Sequence, residues 1–114
     1  MRGQVQKGKI VLVPFPFTDM TETKIRPALV LHVGKGDATV AFISSKVPNF
    51  AGETEVIIKA QIPSFYETGL NDASVIKLDK ITTIDKSLIY GELGEIGDDL
   101  KREINRKFSE IYRL

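Results

Sequence analysis

The sequence predicts an α+β fold in which five to seven short, mostly antiparallel β-strands precede one C-terminal helix. Up to Ile96, short runs of β-branched and apolar residues alternate with Gly, Pro and Asn, a pattern typical of strands joined by turns. After Gly97 the apolar residues recur at steps of three and four, which is the period of a helix. We therefore expect a β-rich domain that ends in a helix.

The first half of the chain predicts a hairpin. Residues 10–13 indicate a buried strand that we expect Pro14 and Pro16 to end, and the polar residues 18–25 indicate a loop. The second and third strands are predicted at 27–33 and 38–45, joined by a glycine-containing turn.

The second half predicts further short strands and the helix. Strands are expected at 55–58, 74–78, 80–84 and 88–96, with irregular backbone over 61–72. Gly97 is the expected N-cap, and Asp98 and Asp99 would lie in the positive first turn of the helix. One helix face carries an apolar stripe formed by Leu100, Ile104, Phe108, Ile111 and Tyr112.

Composition excludes several functions. The 114 residues, 42% hydrophobic and 27% charged, suit one globular domain spanning 1–114. The absence of cysteine excludes disulfides and thiol nucleophiles, and the single histidine, His32, excludes a catalytic histidine pair within one subunit. A net charge of +1 argues against a general duplex-DNA binder, although a local basic site is allowed.

No targeting signal is recognised in the sequence. The basic N-terminus lacks the apolar core of a signal peptide, and no apolar run approaches the roughly 20 residues of a membrane span. We expect a cytoplasmic protein without a membrane partner.

Two sequence patterns that could suggest a functional site have simpler structural interpretations. Residues 3–9 match the spacing of a phosphate-binding loop, but Ile10 stands where the magnesium-binding Ser or Thr belongs, so we expect an N-terminal arm. His32 lies in an apolar strand without a serine–histidine–carboxylate pattern, which favours a packed or rim histidine.

The hairpin itself brings a cation and hydroxyls together. If its turn is centred between Lys35 and Gly36, Arg26 lies opposite Ser45, with Ser44 adjacent. An arginine fork matches a phosphate, and hydroxyls hydrogen-bond a phosphate oxygen or a ribose. A plain salt bridge of Arg26 at a strand end remains the structural alternative.

Four blocks of the sequence resemble the MazF/PemK toxins of type II toxin–antitoxin systems, in family order and with family-like spacing. They are KGKIVLVPF at 7–15, RPALVL at 26–31, VAFISS at 40–45 and LDKITTIDK at 78–86. The predicted C-terminal helix also fits this family. The resemblance covers nearly the whole chain.

The resemblance implies an SH3-like small barrel, a homodimer and a cognate antitoxin. It also implies cleavage of single-stranded RNA without metal or cofactor, leaving 2′,3′-cyclic phosphate and 5′-OH ends. Arg26 falls on the family's catalytic arginine and Ser44 on its catalytic threonine. The RNA-binding residues expected around them are Lys24, Ser45, Lys46 and Lys80.

Departures from the family pattern motivate an alternative function. Ser44 lacks the methyl group of threonine, Lys80 replaces a glutamine, Thr82 replaces an arginine and Lys9 replaces an aspartate. These changes are compatible with an inactive barrel that binds RNA or an antitoxin without cleaving.

Two further features of the sequence bear on function. In the loop over residues 18–24, which gates the RNA groove in the family, Asp19 and Glu22 are either bases or simply solvated carboxylates. A gyrase poison of related fold would need a C-terminal tryptophan, and the chain contains no tryptophan.

Overall fold

The structure, a computed structural model, describes residues 5–16 and 23–114. Within them, six antiparallel strands form one sheet in the order β4-β5-β3-β2-β1-β6. The elements are β1 (Lys9–Pro16), β2 (Thr23–Val33), β3 (Asp37–Ser44), β4 (Glu55–Ile58), β5 (Ser74–Asp85), β6 (Gly91–Glu95) and the helix α1 (Asp98–Ile111). The predicted β-rich α+β class with one C-terminal helix is confirmed, as a curled half-barrel.

The sheet is buried on both faces. Consecutive residues of the central strands alternate between two core clusters, so that Ala28 and Val30 belong to one and Leu29 to the other. The helix face of the sheet packs against Leu100 and Ile104 of α1. The opposite face, here called the inner face, buries Val11, Val13, Ala28, Val30, Ala38, Val40 and Ile89. These side chains come from strands and a turn, so the curl of the sheet itself encloses them.

Two strands extend further than predicted because their prolines occupy tolerant positions. β1 continues through Pro14 to Pro16, so the prediction that these prolines end it is wrong. β6 pairs with β1 only over Lys9 to Leu12. Beyond Leu12, a proline in β1 therefore removes no hydrogen bond to β6. β2 begins at Thr23 and not at Pro27. Its register with β3 starts at Ala28, so Pro27 lies just past the end of that ladder.

β5 is one long bent strand where two separate strands were predicted. Its pairing with β3 changes from Ala41↔Ile81 to Ile43↔Ile76, so several residues of β5 face one of β3. Such a bulge bends a strand sharply. Its first half also pairs with β4, which adds a short flap to the sheet.

Smaller differences concern the turns. The segment predicted to be irregular contains a 3₁₀ turn at Phe65–Thr68 that lies against β6, where a Cβ on Gly94 would be 2.2 Å from the Glu67 oxygen. The last strand is shorter than predicted because a second 3₁₀ turn, Lys86–Leu88, precedes it. Gly8, which has a φ of +88°, donates to Val30 and accepts from Ile96, so the backbone that directly precedes β1 is fixed to the fold.

The helix α1 is attached at both ends. Gly97 is its N-cap, as predicted. Near its C-terminus, the Lys107 ammonium donates to the carbonyls of Gly52 and Glu55, and the Tyr112 hydroxyl donates to the carbonyl of Leu78. No helix among the described residues is long and apolar enough to cross a membrane.

A hydrogen bond ties the first turn of α1 to the preceding loop. The Ser64 hydroxyl donates to the Asp99 carboxylate at 2.8 Å, and the Leu100 N–H donates to the same group at 2.9 Å. These bonds, with Ser64 the largest contributor, lower the pKa of Asp99 below its ordinary value of 3.8, while partial burial opposes the shift. The ionised carboxylate therefore stabilises the helix start.

We expect Ser64→Ala to lower the free energy of unfolding by about 1 kcal/mol at pH 7, because it removes a hydrogen bond to a charged acceptor. A carboxylate with a depressed folded-state pKa stabilises above its unfolded pKa and loses this contribution as pH falls through the folded value. The difference from the native chain should therefore shrink as the pH falls below about 4. Urea unfolding at pH 7 and in that acid range measures it.

The matched control is Ser109→Ala, on an exposed position of the same helix. It should show no comparable pH dependence. A Ser64→Ala deficit that is the same at pH 7 and pH 2.5 would contradict this role of the Asp99 carboxylate.

Candidate functional site

Arg26 and Lys24 lie on the inner face of β2. In the register with β1, Arg26 is opposite Val13 and Lys24 is opposite Phe15. Directly paired residues project to the same side of a sheet, and both Val13 and Phe15 belong to the inner-face cluster. Arg26 is half-buried and Lys24 is exposed. The two cations therefore line one end of the inner face, beyond its apolar centre.

A β-bulge in β2 sets which serine faces Arg26. The pairing near the turn, His32↔Thr39, changes to Val30↔Val40 across the bulge and continues to Ala28↔Phe42. The ladder ends at that pair, and its offset, continued two residues to the strand ends, aligns Arg26 with Ser44, whereas the uniform hairpin aligned Arg26 with Ser45. Arg26 and Ser44, which the family resemblance identified, therefore lie at the same end of neighbouring strands.

The Ser44 hydroxyl is oriented by the turn that ends β3. Its oxygen accepts a hydrogen bond from the backbone N–H of Lys46 at 3.1 Å. A hydroxyl that accepts one bond in this way still has its own proton to donate. Ser44 can therefore donate to an anionic oxygen placed between it and Arg26.

The other residues predicted to bind RNA lie at different distances from Arg26 and Ser44 along the strands. Ser45 and Lys46 are exposed and directly follow the end of β3. Lys80 is exposed in the bent part of β5, next to Ile81, which pairs with Ala41. Thr82, where the family pattern has an arginine, pairs with Val40 and is half-buried on the inner face. The site is thus basic at its rim, with a neutral residue on its β5 side.

Sequence reasoning missed an aromatic pair beside these residues. The rings of Phe15 and Phe42 contact each other across β2, with centroids 4.9 Å apart and planes tilted by 51°. Phe42 precedes Ser44 by two residues on the same face of β3. The alternation of β3 predicts that Phe42 and Ser44 lie on one side of that strand. The contact of Phe42 with Phe15 of β1 follows only from the pairing of all three strands.

The remaining candidates lie elsewhere or outside the described residues. His32 is exposed near the hairpin turn and is paired with Thr39, consistent with a rim histidine. Asp19 and Glu22 fall outside the described residues. Among residues 5–16 and 23–114, no three His, Asp or Glu side chains form a group that could hold a metal ion.

This arrangement is suited to binding a phosphodiester. A guanidinium offers paired donors to phosphate oxygens, and a neighbouring hydroxyl adds a third donor. Additional lysines at the rim favour an extended polyanion over a single phosphate. The fold and site together define a small curled-sheet protein with basic and hydroxyl side chains at one end of its inner face.

The family of the chain follows from its sequence over almost its whole length. Residues 6–112 match the family described as PemK-like, MazF-like toxin of type II toxin–antitoxin systems. The chain belongs to this family, as the four sequence blocks predicted.

Solved structures of toxins share the fold. The chain is similar to Mycobacterium tuberculosis toxin MazF-mt6, with 23% identity, a TM-score of 0.71 and coverage of 93% of this chain and 97% of that one. It is also similar to the Deinococcus radiodurans MazE–MazF structure in Form III, with 21% identity, a TM-score of 0.67 and 94% coverage of each chain.

A third similar structure is an endoribonuclease in complex with its cognate antitoxin from a mycobacterial species. It shares 14% identity and a TM-score of 0.71, and the alignment covers 94% of this chain and 93% of that one. At these identities the structural likenesses establish the fold. No curated protein gave a significant match to the chain.

Proposed function

We propose that this protein is a metal-independent, sequence-selective endoribonuclease that cuts single-stranded RNA and acts in the cytoplasm as the toxin of a toxin–antitoxin pair. Family membership supports the class of activity. The observation that carries the proposal is the register of β2 with β1 and β3, which leaves Arg26 and Ser44 at the same end of neighbouring strands and on the inner face.

The proposed reaction needs no group beyond the RNA and the protein. The 2′-hydroxyl of one nucleotide loses its proton and attacks the adjacent phosphorus, and the bond from phosphorus to the 5′-oxygen breaks. The leaving oxygen takes up a proton, so the products carry a 2′,3′-cyclic phosphate and a 5′-OH.

Arg26 has the larger role in this scheme. Negative charge accumulates on the non-bridging oxygens in the transition state, and a cation fixed beside them lowers the barrier more than a mobile one. The Arg26 backbone is paired with Val13 of β1, which restricts where it can move. Ser44 would donate to the same phosphate or to the ribose.

Three lysines and the Ser45 hydroxyl would hold the RNA strand on either side of the cleaved bond. The residues proposed to bind RNA in this way are Lys24, Ser45, Lys46 and Lys80, all of them exposed. Contacts of these side chains with phosphates would carry no base preference. The recognised RNA sequence must therefore be set by other contacts.

Two protein partners belong to the same proposal. A cognate antitoxin would cover the site with a flexible segment that orders on binding. The chain would act as a homodimer. The antitoxin complexes of the mycobacterial and Deinococcus structures support the first expectation by family analogy.

We expect Arg26→Ala to lower kcat/KM for RNA cleavage by roughly 100- to 1,000-fold, because it removes the cation closest to the developing charge. The measurement is cleavage of a long mixed-sequence RNA in EDTA, with the ends of the fragments identified. Arg113→Ala, an exposed arginine beyond the end of α1, is the control and should cleave like the native chain.

Discrete fragments with 5′-OH ends, lost in Arg26→Ala alone, would support the endoribonuclease. RNA binding without any cleavage by folded native protein would instead favour the inactive barrel. Equal cleavage by Arg26→Ala and the native chain would place the chemistry elsewhere.

We expect Ser44→Ala to reduce kcat/KM by about 10- to 100-fold, since a hydrogen bond to a charged group contributes about 1.5–3 kcal/mol. Ser44→Thr keeps the hydroxyl and restricts its rotamers through the added methyl, so its activity should equal or exceed that of the native chain. Single-turnover cleavage of one short RNA compares them, with Ser109→Ala as the control. Full activity of Ser44→Ala would remove the hydroxyl from the mechanism.

A further inference from the structure

The aromatic pair on the inner face lies where a bound nucleotide would extend. Phe42 pairs with Ala28, the neighbour on the same face of Arg26, and precedes Ser44 by two residues. Two residues along a strand span about 7 Å, which is comparable to the reach of a nucleotide from its phosphate to its base. A phosphate held between Arg26 and Ser44 therefore has Phe42 within reach of the attached base.

Both rings are half-buried, so neither is sealed within the protein. Phe15 packs on the edge of the inner-face cluster, and Phe42 packs on Phe15. The tilt of 51° means that the rings are not stacked parallel, so each does not cover the whole face of the other. Phe15 thereby supports Phe42 without matching it face to face.

We propose that a nucleobase next to the scissile phosphate stacks on Phe42, with Phe15 holding that ring in position. This inference rests on the proposed function and deepens it by naming a base-binding residue. Phosphate contacts from Arg26 and the lysines carry no base information, whereas stacking acts on the base itself. Phe42 would thus hold the nucleotide in register with the cleavage pair.

The test combines a ring deletion with a base deletion. A short RNA containing one mapped cleavage site is prepared intact and with an abasic nucleotide on either side of the scissile phosphate. The native chain, Phe42→Leu and Phe42→Trp are compared by KM and kcat on each RNA. Phe108→Leu is the matched control, because Phe108 belongs to a second tilted aromatic pair, with Tyr112, whose ring centroid is 5.7 Å away.

Stacking predicts that Phe42→Leu raises KM about 5- to 100-fold on the intact RNA, while Phe42→Trp stays near the native value. On one of the abasic RNAs the native chain and Phe42→Leu should become equal, because the base that the ring contacts is gone. Phe108→Leu should leave KM unchanged on all three RNAs.

A Phe42→Leu defect of the same size on intact and both abasic RNAs would overturn the inference and show that the ring only packs the protein. If the native chain binds RNA without cutting, no cut site can be mapped, and the Kd values of the native chain and Phe42→Leu are compared on a bound short RNA, intact and with an abasic nucleotide at each position in turn. That comparison decides the stacking contact, although the endoribonuclease has failed. If it neither binds nor cuts RNA, both proposals are overturned.

Discussion

Burial of both faces of the sheet is the constraint on which the rest of this structure depends. Successive residues of the central strands enter opposite clusters, as Ala28 and Leu29 do. A slip of one residue would exchange the two sets and expose every side chain to the wrong surroundings. The register of β1, β2 and β3 is therefore strongly specified up to the ends of these strands.

The site uses that rigidity at one such end. Arg26 and Ser44 lie just beyond the part of the inner face where Val13, Ala28 and Val40 are fully buried. Each of the two lies on a strand, Arg26 paired with Val13 and Ser44 paired with Val75, which suits a function in which small displacements are costly. The β2 bulge shifts the offset between β2 and β3 by one residue, which aligns Arg26 with Ser44 in place of Ser45.

Much of the architecture was readable from local patterns. Alternating and apolar runs predicted the strands, the hairpin turn at Gly34 predicted which strands pair, and the spacing of Leu100 and Ile104 predicted the face of the helix. Arg26 and Ser44 were identified by the family resemblance, and strand alternation was enough to place each on a side of its own strand.

The features that could not be predicted from the sequence depend on how several strands pair at once. The bulge between Val30 and His32 leaves no composition signal, so a uniform hairpin shifted the pairing by one residue. Pro14 was expected to end β1, since its tolerance depends on where the β6 ladder stops. Phe15 and Phe42 are distant in sequence, and their side chains come into contact only across β2.

The most direct test of the account concerns the nucleophile that it assigns to the RNA itself. A short RNA that the native chain cuts is compared with the same RNA carrying a single 2′-deoxy substitution at the nucleotide 5′ to the mapped cut. We expect this one change to abolish cleavage there while the Kd stays within a few-fold of the unmodified value. Cleavage of the deoxy substrate at an undiminished rate would show that another nucleophile attacks, and would contradict the role given to Arg26 and Ser44.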